Sequence, residues 1–414
     1  MIMEKIQVRP GEGGVTAPTG FQAIGGSAGI KKNHTKDMAL IYSVVPCVAA
    51  GTFTTNQVKA APVRWDRNII YNHPSAQLVV VNSGIANAAT GKEGDEICRL
   101  TAEAAAETLG IPADSVLLGS TGVIGQQLPI DKMREGISRL APLLSNSREA
   151  ASSAEQAIMT TDTRPKEVCV TIKIGGTEVT IGGMCKGAGM IHPNMCTMLS
   201  FITTDCLISK KMLQKALSAS VGATYNMISV DGDMSTNDTC LVLANGLAGN
   251  EEITETGEAY DLFAAALLEV NRTLAKMIAG DGEGASRLFE VKVIHAKDYD
   301  QARTLAKSVV ESNLTKAAIF GRDANWGRIL CAMGYSSAKF NVDTVDLYFQ
   351  SSAGRIQITK DSVALDYSED EATKILSEDA VTAVIDIKMG SAEATAWGCD
   401  LTYDYVKINA DYRS

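Results

Sequence analysis

The chain has 414 residues, 45% of them hydrophobic, enough for a large core and for two or three structural units rather than one. A formal net charge of −10 argues against nucleic acid, whose phosphates demand a basic face, and fits a protein that handles small molecules. The N-terminus has no basic segment followed by an apolar run, and no apolar stretch reaches the roughly 20 residues of a membrane span, so the expected location is the cytoplasm, away from the membrane.

In chain order, residues 77–81 are a continuous apolar run of the buried-strand type, ending in Asn82-Ser83-Gly84. Ile97, Leu100, Ala104, Ala105 and Leu109 recur near helical spacing, with Gly110 as a C-terminal stop. Val116-Leu117-Leu118 leads into a small-residue loop over 119–125. Residues 168–174, Gly175-Gly176 and 178–181 read as a β-hairpin. Ser209 is placed to cap a helix carrying Met212, Leu213, Ala216, Leu217 and Val221. A strong helical stripe runs from Tyr260 through Phe263, Leu267, Val270 and Leu274 to Met277, and stops at the glycine-rich 280–284. Residues 289–294 alternate as a strand, 302–310 read as a helix, and 382–387 and 396–408 read as strand-rich. Without a regular βαβ beat, the pattern implies α+β: a layered mixed sheet and helix architecture, not a doubly wound sheet.

The nine cysteines are scattered singly with no C-x-x-C pair, as reduced core thiols would be. Of the four histidines none stands at ligand spacing, so no metal site is expected.

The chemistry concentrates in residues 186–201. Glycines at 187 and 189 and the pair Pro193-Asn194 allow a tight turn, after which Thr197 opens an apolar segment read as a strand. A hydroxyl held against its own preceding carbonyl can attack it, turning the Cys196–Thr197 amide into an ester that water hydrolyses. The product begins at Thr197 with a free α-amine. Such an amine has a reference pKa of about 7.7–8.0, against about 10.4 for lysine, and can act as base for its own hydroxyl. A turn entering a strand is the ordinary alternative. His192, the histidine nearest in sequence, reads as a turn-packing residue.

This segment resembles the cleavage motif of the ornithine acetyltransferase family, the bifunctional glutamate N-acetyltransferases of arginine biosynthesis. Further blocks resemble that family in the expected order, among them Gly13-Gly14-Val15-Thr16-Ala17-Pro18, Ser120-Thr121-Gly122-Val123-Ile124-Gly125, Met159-Thr160-Thr161-Asp162-Thr163, Ser229-Val230-Asp231-Gly232-Asp233, Gly321-Arg322-Asp323-Ala324-Asn325-Trp326 and the terminal segment from Tyr405 to Ser414. The resemblance therefore spans nearly the whole chain. It implies the fold of the self-cleaving N-terminal-threonine acyltransferases, with an N-terminal chain over 1–196 and a C-terminal chain over 197–414. It also implies a ping-pong transfer in which N-acetylornithine acetylates the threonine hydroxyl and glutamate collects the acetyl group. No cofactor is required. Some members of the family accept acetyl-CoA as well, and the residues do not decide that point. The family pattern also implies a heterotetramer of two cleaved protomers.

Carried onto this sequence, the resemblance makes Thr197 the nucleophile and Thr121 and Gly122 the oxyanion donors, one through a hydroxyl and one through a backbone N–H. Lys186 becomes a substrate ligand, and a cation suits substrates that carry an α-carboxylate. Thr160 is a further contact, with its neighbour Thr161 an open alternative. Glu283, between glycines at a helix end, is suited to an ornithine ammonium; its Gly-Asp-Gly-Glu-Gly setting lacks the further acids of a calcium loop. Asn409 and Ser414 are implied as ligands from the tail, with Ile408 and Tyr412 as its anchors. The Asp231/Asp233 and Arg322/Asp323 clusters are equally explained by structural links. Two departures stand out: Cys196 where alanine is usual, and Ile85 where asparagine is expected, which weakens a polar role for residues 82–88. Rival readings are an N-terminal-nucleophile amidohydrolase or aminopeptidase, and an uncleaved binding protein.

Overall fold

The computed structural model describes residues 6–10, 13–32, 35–192 and 198–411. Its strands are β1 (Gln7–Pro10), β2 (Phe21–Gly26), β3 (Met38–Phe53), β4 (Ala76–Ile85), β5 (Val116–Val123), β6 (Glu167–Ile174), β7 (Thr177–Lys186), β8 (Leu199–Thr204), β9 (Ile228–Ser229), β10 (Thr239–Ala244), β11 (Leu288–Ala296), β12 (Asp346–Ser351), β13 (Gly354–Lys360), β14 (Val363–Ala364), β15 (Ala380–Asp386) and β16 (Ala392–Cys399). The α-helices are α1 (Ala61–Asn72), α2 (Gly91–Leu109), α3 (Ile130–Leu140), α4 (Arg148–Ile158), α5 (Lys210–Ala223), α6 (Glu258–Gly280), α7 (Tyr299–Glu311), α8 (Asn313–Phe320), α9 (Trp326–Gly334), α10 (Glu369–Leu376) and α11 (Tyr403–Asp411).

One sheet runs β1-β6-β7-β8-β10-β3-β4-β5, with β2 also paired to β3; the other runs β14-β13-β12-β15-β11-β16-β9. Both mix parallel and antiparallel neighbours, so the α+β expectation holds. The long β3 ties two parts of its sheet together. Its first half pairs with β2 and β4 and its second with β10, and the register slips between Tyr42 and Cys47. Pro46 lies in that gap and has no N–H to give a ladder.

Helix α6 joins the two layers. Phe263, Leu267, Val270, Leu274 and Ile278 are fully buried on it, and it packs on β6 and β7 as well as on β11 and β16. Each such side chain contributes about 1.5–3 kcal/mol of burial. The helix ends at Gly280 and delivers residues 281–284 to the cavity described below.

Three expectations need correction. Residues 119–123 are not a loop but the end of β5, whose small residues permit close packing: a Cβ on Gly119 would meet the Phe201 ring at 2.9 Å. Residues 396–408 are strand only to Cys399, and 403–411 form α11, which buries no residue, so Ile408 is not an apolar anchor. Ser209 does precede α5, but its side chain makes no capping bond. The hairpin of β6 and β7, and the helices α2, α5, α6 and α7, lie where the periodicity predicts them. Among the described residues no helix is long and apolar enough to cross a membrane.

Candidate active site

The oxyanion candidates sit on the rim of the β4–β5 pair. These strands run parallel, with Thr121 opposite Ser83 and Gly122 opposite Gly84. The two backbones approach so closely that a Cβ on Gly122, at φ +132°, would lie 2.3 Å from the Gly84 carbonyl carbon. Only glycine fits there. Ser120 Oγ donates to Asn82 Oδ1 at 2.7 Å, and Asn237 Nδ2 donates to the Ser120 carbonyl at 2.8 Å. The peptides leading to Thr121 and Gly122 are thus held from both sides.

Asp162 organises the adjacent wall. Its wholly buried carboxylate accepts from Lys166 Nζ at 2.7 Å, from Gly187 N–H at 2.6 Å and from Thr160 N–H at 3.0 Å, and it faces Lys186 Nζ at 3.9 Å. Burial by itself would raise this carboxyl, but the Lys186 and Lys166 ammoniums outweigh it and hold Asp162 below the usual carboxylate range. Lys166 is itself closed by Asp281 at 2.6 Å. Lys186 is therefore a nearly buried cation at the end of β7, not a solvated surface lysine.

The loop after β9 grips the chain on both sides of residues 193–197. Before them, the Asp231 carboxylate accepts from the N–H groups of Met190 at 2.7 Å and Ile191 at 2.8 Å. After them, the Met198 carbonyl accepts from Thr239 N–H at 2.9 Å. His192 turns aside: its Nδ1 lies 3.2 Å from Ser229 Oγ and 3.4 Å from Glu311, and burial lowers its pKa.

The opposite wall comes from the end of α6 and from α11. The Glu283 N–H donates to the Ala188 carbonyl at 2.9 Å, and a Cβ on Gly189 would strike the Glu283 carboxyl at 2.4 Å. Asn409 Nδ2 donates to Glu283 Oε2 at 2.8 Å, so this polar contact, together with Thr402 Oγ1 on the Gly284 carbonyl at 2.6 Å, holds α11 against the site.

Thr121, Gly122, Thr160, Thr161, Lys186, Glu283 and Asn409 all border one cavity of about 150 Å³, with Ile191 and Met198 on its wall. Thr160 and Thr161 both line it, so the choice between them stays open. Cys196, Thr197 and Ser414 lie outside the described residues, as does Tyr412. Residues that the sequence reading passed over are Asn237 and Asp238 on the cavity wall, and Asp162 and Asp231 behind it. Both aspartates stood inside quoted motifs, yet their contacts exist only once distant strands meet. Among the described residues no group of histidine, cysteine and acids could hold a metal.

A cavity that joins an oxyanion rim, a buried cation and an acid can seat an amino acid and activate an acyl group. The family model described as the ArgJ family matches residues 22–414. The "Arginine biosynthesis bifunctional protein ArgJ" of Thermotoga neapolitana is 50% identical over 398 residues, 96% of this chain and 99% of its own. The protein of that name from Caldanaerobacter subterraneus subsp. tengcongensis is 51% identical over 403 residues, 97% of this chain and 99% of its own. A solved structure of ornithine acetyltransferase from Mycobacterium tuberculosis, complexed with ornithine, is 40% identical, covers 47% of this chain and 100% of that chain, and gives a TM-score of 0.43. Similarity of this extent to the curated proteins, with a family model matched almost end to end, makes the chain a member of the ArgJ family.

Proposed function

We propose that this chain is a self-cleaving acetyltransferase of arginine biosynthesis, a glutamate N-acetyltransferase that moves acetyl from N-acetylornithine to glutamate in the cytoplasm. Scission between Cys196 and Thr197 leaves chains 1–196 and 197–414, two of each forming a heterotetramer. The observation that carries the reading is the meeting of Thr121, Gly122, Lys186, Glu283 and Asn409 around one small cavity whose wall includes Met198, the residue bonded to Thr197.

Thr197 Oγ attacks the acetyl carbonyl of N-acetylornithine while the residue's own α-amine takes the hydroxyl proton. Negative charge develops on the acetyl oxygen, which the Thr121 hydroxyl and the Gly122 N–H stabilise. Collapse breaks the acetyl C–N bond, and the proton held by the amine passes to the departing ornithine nitrogen. Acetyl-threonine then meets the amine of glutamate, and the same steps run in reverse order. Lys186 takes the α-carboxylate common to both substrates, with Thr160 beside it. Glu283 and Asn409 face the side-chain end, where the carboxylate meets the ornithine ammonium. No cofactor enters; acetyl-CoA is a second donor in this reading.

Intact-mass measurement and a paired assay test it. Two fragments meeting at 196/197, with glutamate-dependent release of ornithine from acetylornithine, support the reading. Acetate release without dependence on glutamate, or a Thr197→Ala variant that still splits, would overturn it. Acetylglutamate formed from acetyl-CoA alone tests the second donor.

A further inference from the structure

Asp238 is a buried acid that the reaction above leaves unused. It immediately precedes β10, is 1% exposed and borders the cavity. The Ser235 and Thr54 hydroxyls and the Met198 N–H face its carboxyl, yet Oδ2 has no hydrogen-bond partner among the described residues. A buried carboxyl oxygen without a partner is costly, and at a cavity wall it points to a group still to be received. The next residue, Thr239, holds the Met198 carbonyl at 2.9 Å, so residues 238 and 239 both engage the residue covalently bonded to Thr197.

From this placement we infer that Asp238 is the proton acceptor for the α-amine of Thr197: its carboxylate takes the proton that the ammonium must lose before the amine can serve as base. The inference rests on the proposed scission at 196/197. The step conserves charge and atoms, since the proton moves from nitrogen to Oδ2 and an ion pair becomes a neutral acid beside a neutral amine. Burial favours that direction, because a low-dielectric site disfavours two charges more than none. Burial likewise pushes the Asp238 carboxyl well above the usual carboxylate range, with Ser235 and Lys186 opposing it. Lys186 on β7 is the charged side chain that acts on Asp238, and Glu283 is the other acid on the cavity wall. The end of β3 presents the Thr54 hydroxyl.

The test compares the pH dependence of kcat/KM in the wild type, Asp238→Asn and Asp238→Glu, with intact mass and melting measured on each. The wild type is expected to hold its rate from about pH 8.5 down to about pH 6.5, because the amine is kept neutral below its own pKa. Asp238→Asn still splits, since scission precedes the amine, but its rate falls about tenfold per pH unit below roughly 7.7, and Asp238→Glu restores part of the plateau. A split Asn variant with the wild-type profile overturns the inference and leaves the proposed function standing. An unsplit wild type removes the amine and overturns both. If Asp238→Asn does not fold, the wild type decides alone: a tenfold loss per unit from about pH 7.7 downward overturns the inference, and a plateau supports it.

Discussion

Lys186 Nζ stands 3.9 Å from Asp162 Oδ2, with the ammonium 10% exposed and the carboxylate not at all. The same carboxylate bonds the Thr160 N–H and Lys166 Nζ, so one acid sets the position of two candidate substrate ligands. Removing one member of a buried pair costs about 3–5 kcal/mol because its partner's charge is left uncompensated. Asp162→Asn should therefore lose about that much stability in denaturant unfolding at pH 7, and raise KM for both amino acids more than it lowers kcat. The folded carboxyl titrates below its ordinary value of 3.8, so its stabilisation is present above that pH and is lost as pH falls through the folded value. The wild type's advantage over the variant should shrink accordingly in acid.

Glu155 carries the opposite sign. Its Oε1 accepts from the Lys166 N–H at 2.9 Å, Oε2 has no hydrogen-bond partner among the described residues, and burial pushes the carboxyl up to about 8. A folded pKa above the ordinary 4.5 means that the folded state holds the proton more tightly, so stability declines as pH rises from about 4.5 through 8. Glu155→Gln should exceed the wild type by about 2–4 kcal/mol at pH 8.5, and the gap should close toward pH 5. Unfolding curves at the two pH values measure it; a gap that widens in acid would refute the assignment.

Thr121→Val keeps the shape of the rim and removes a hydroxyl, so kcat should fall about 100- to 1,000-fold with little change in melting temperature. Gly122→Ala should lose as much activity and also melt earlier, because its Cβ is driven into Gly84. Steady-state rates and melting curves on the pair separate charge stabilisation from strand packing.

Cysteine labelling reads the packing. Cys331 is exposed, whereas the other described cysteines are buried, and burial pushes the thiols of Cys47, Cys206 and Cys240 up to about 12. Iodoacetamide at pH 8 should modify Cys331 in the native protein and reach the other described thiols only in denaturant. Mass spectrometry of the peptides checks the order.

Periodicity located what periodicity can. The stripe from Tyr260 to Met277 became α6, and the run at 77–81 became β4, because their burial is dictated by spacing along one element. It misled where small or β-prone residues serve a tertiary purpose. The glycines of 119–122 looked like a turn, but they let β5 pass the Phe201 ring and the Gly84 backbone. Thr402, Tyr405, Val406 and Ile408 favour strands on their own, yet the bonds of Thr402 to Gly284 and Asn409 to Glu283 anchor a helix there. The ligand candidates were legible through resemblance. Asp162, Asp231 and Asp238 were not singled out, because their meaning is a distance to residues far away in the chain.

Strand β8 begins two residues after the proposed scission point and lies between β7 and β10, pairing Lys186 with Leu199 at one end and Ile181 with Thr204 at the other. Every residue of β8 is buried. Breaking the 196–197 bond would therefore not create two separable proteins. The fragments would share a ladder, and pulling them apart would mean tearing open a sheet and exposing its core. A maturation event at that bond would be invisible to size-exclusion chromatography and plain only in a denaturing gel. Fragments expressed separately would have to fold around one another, not simply dock.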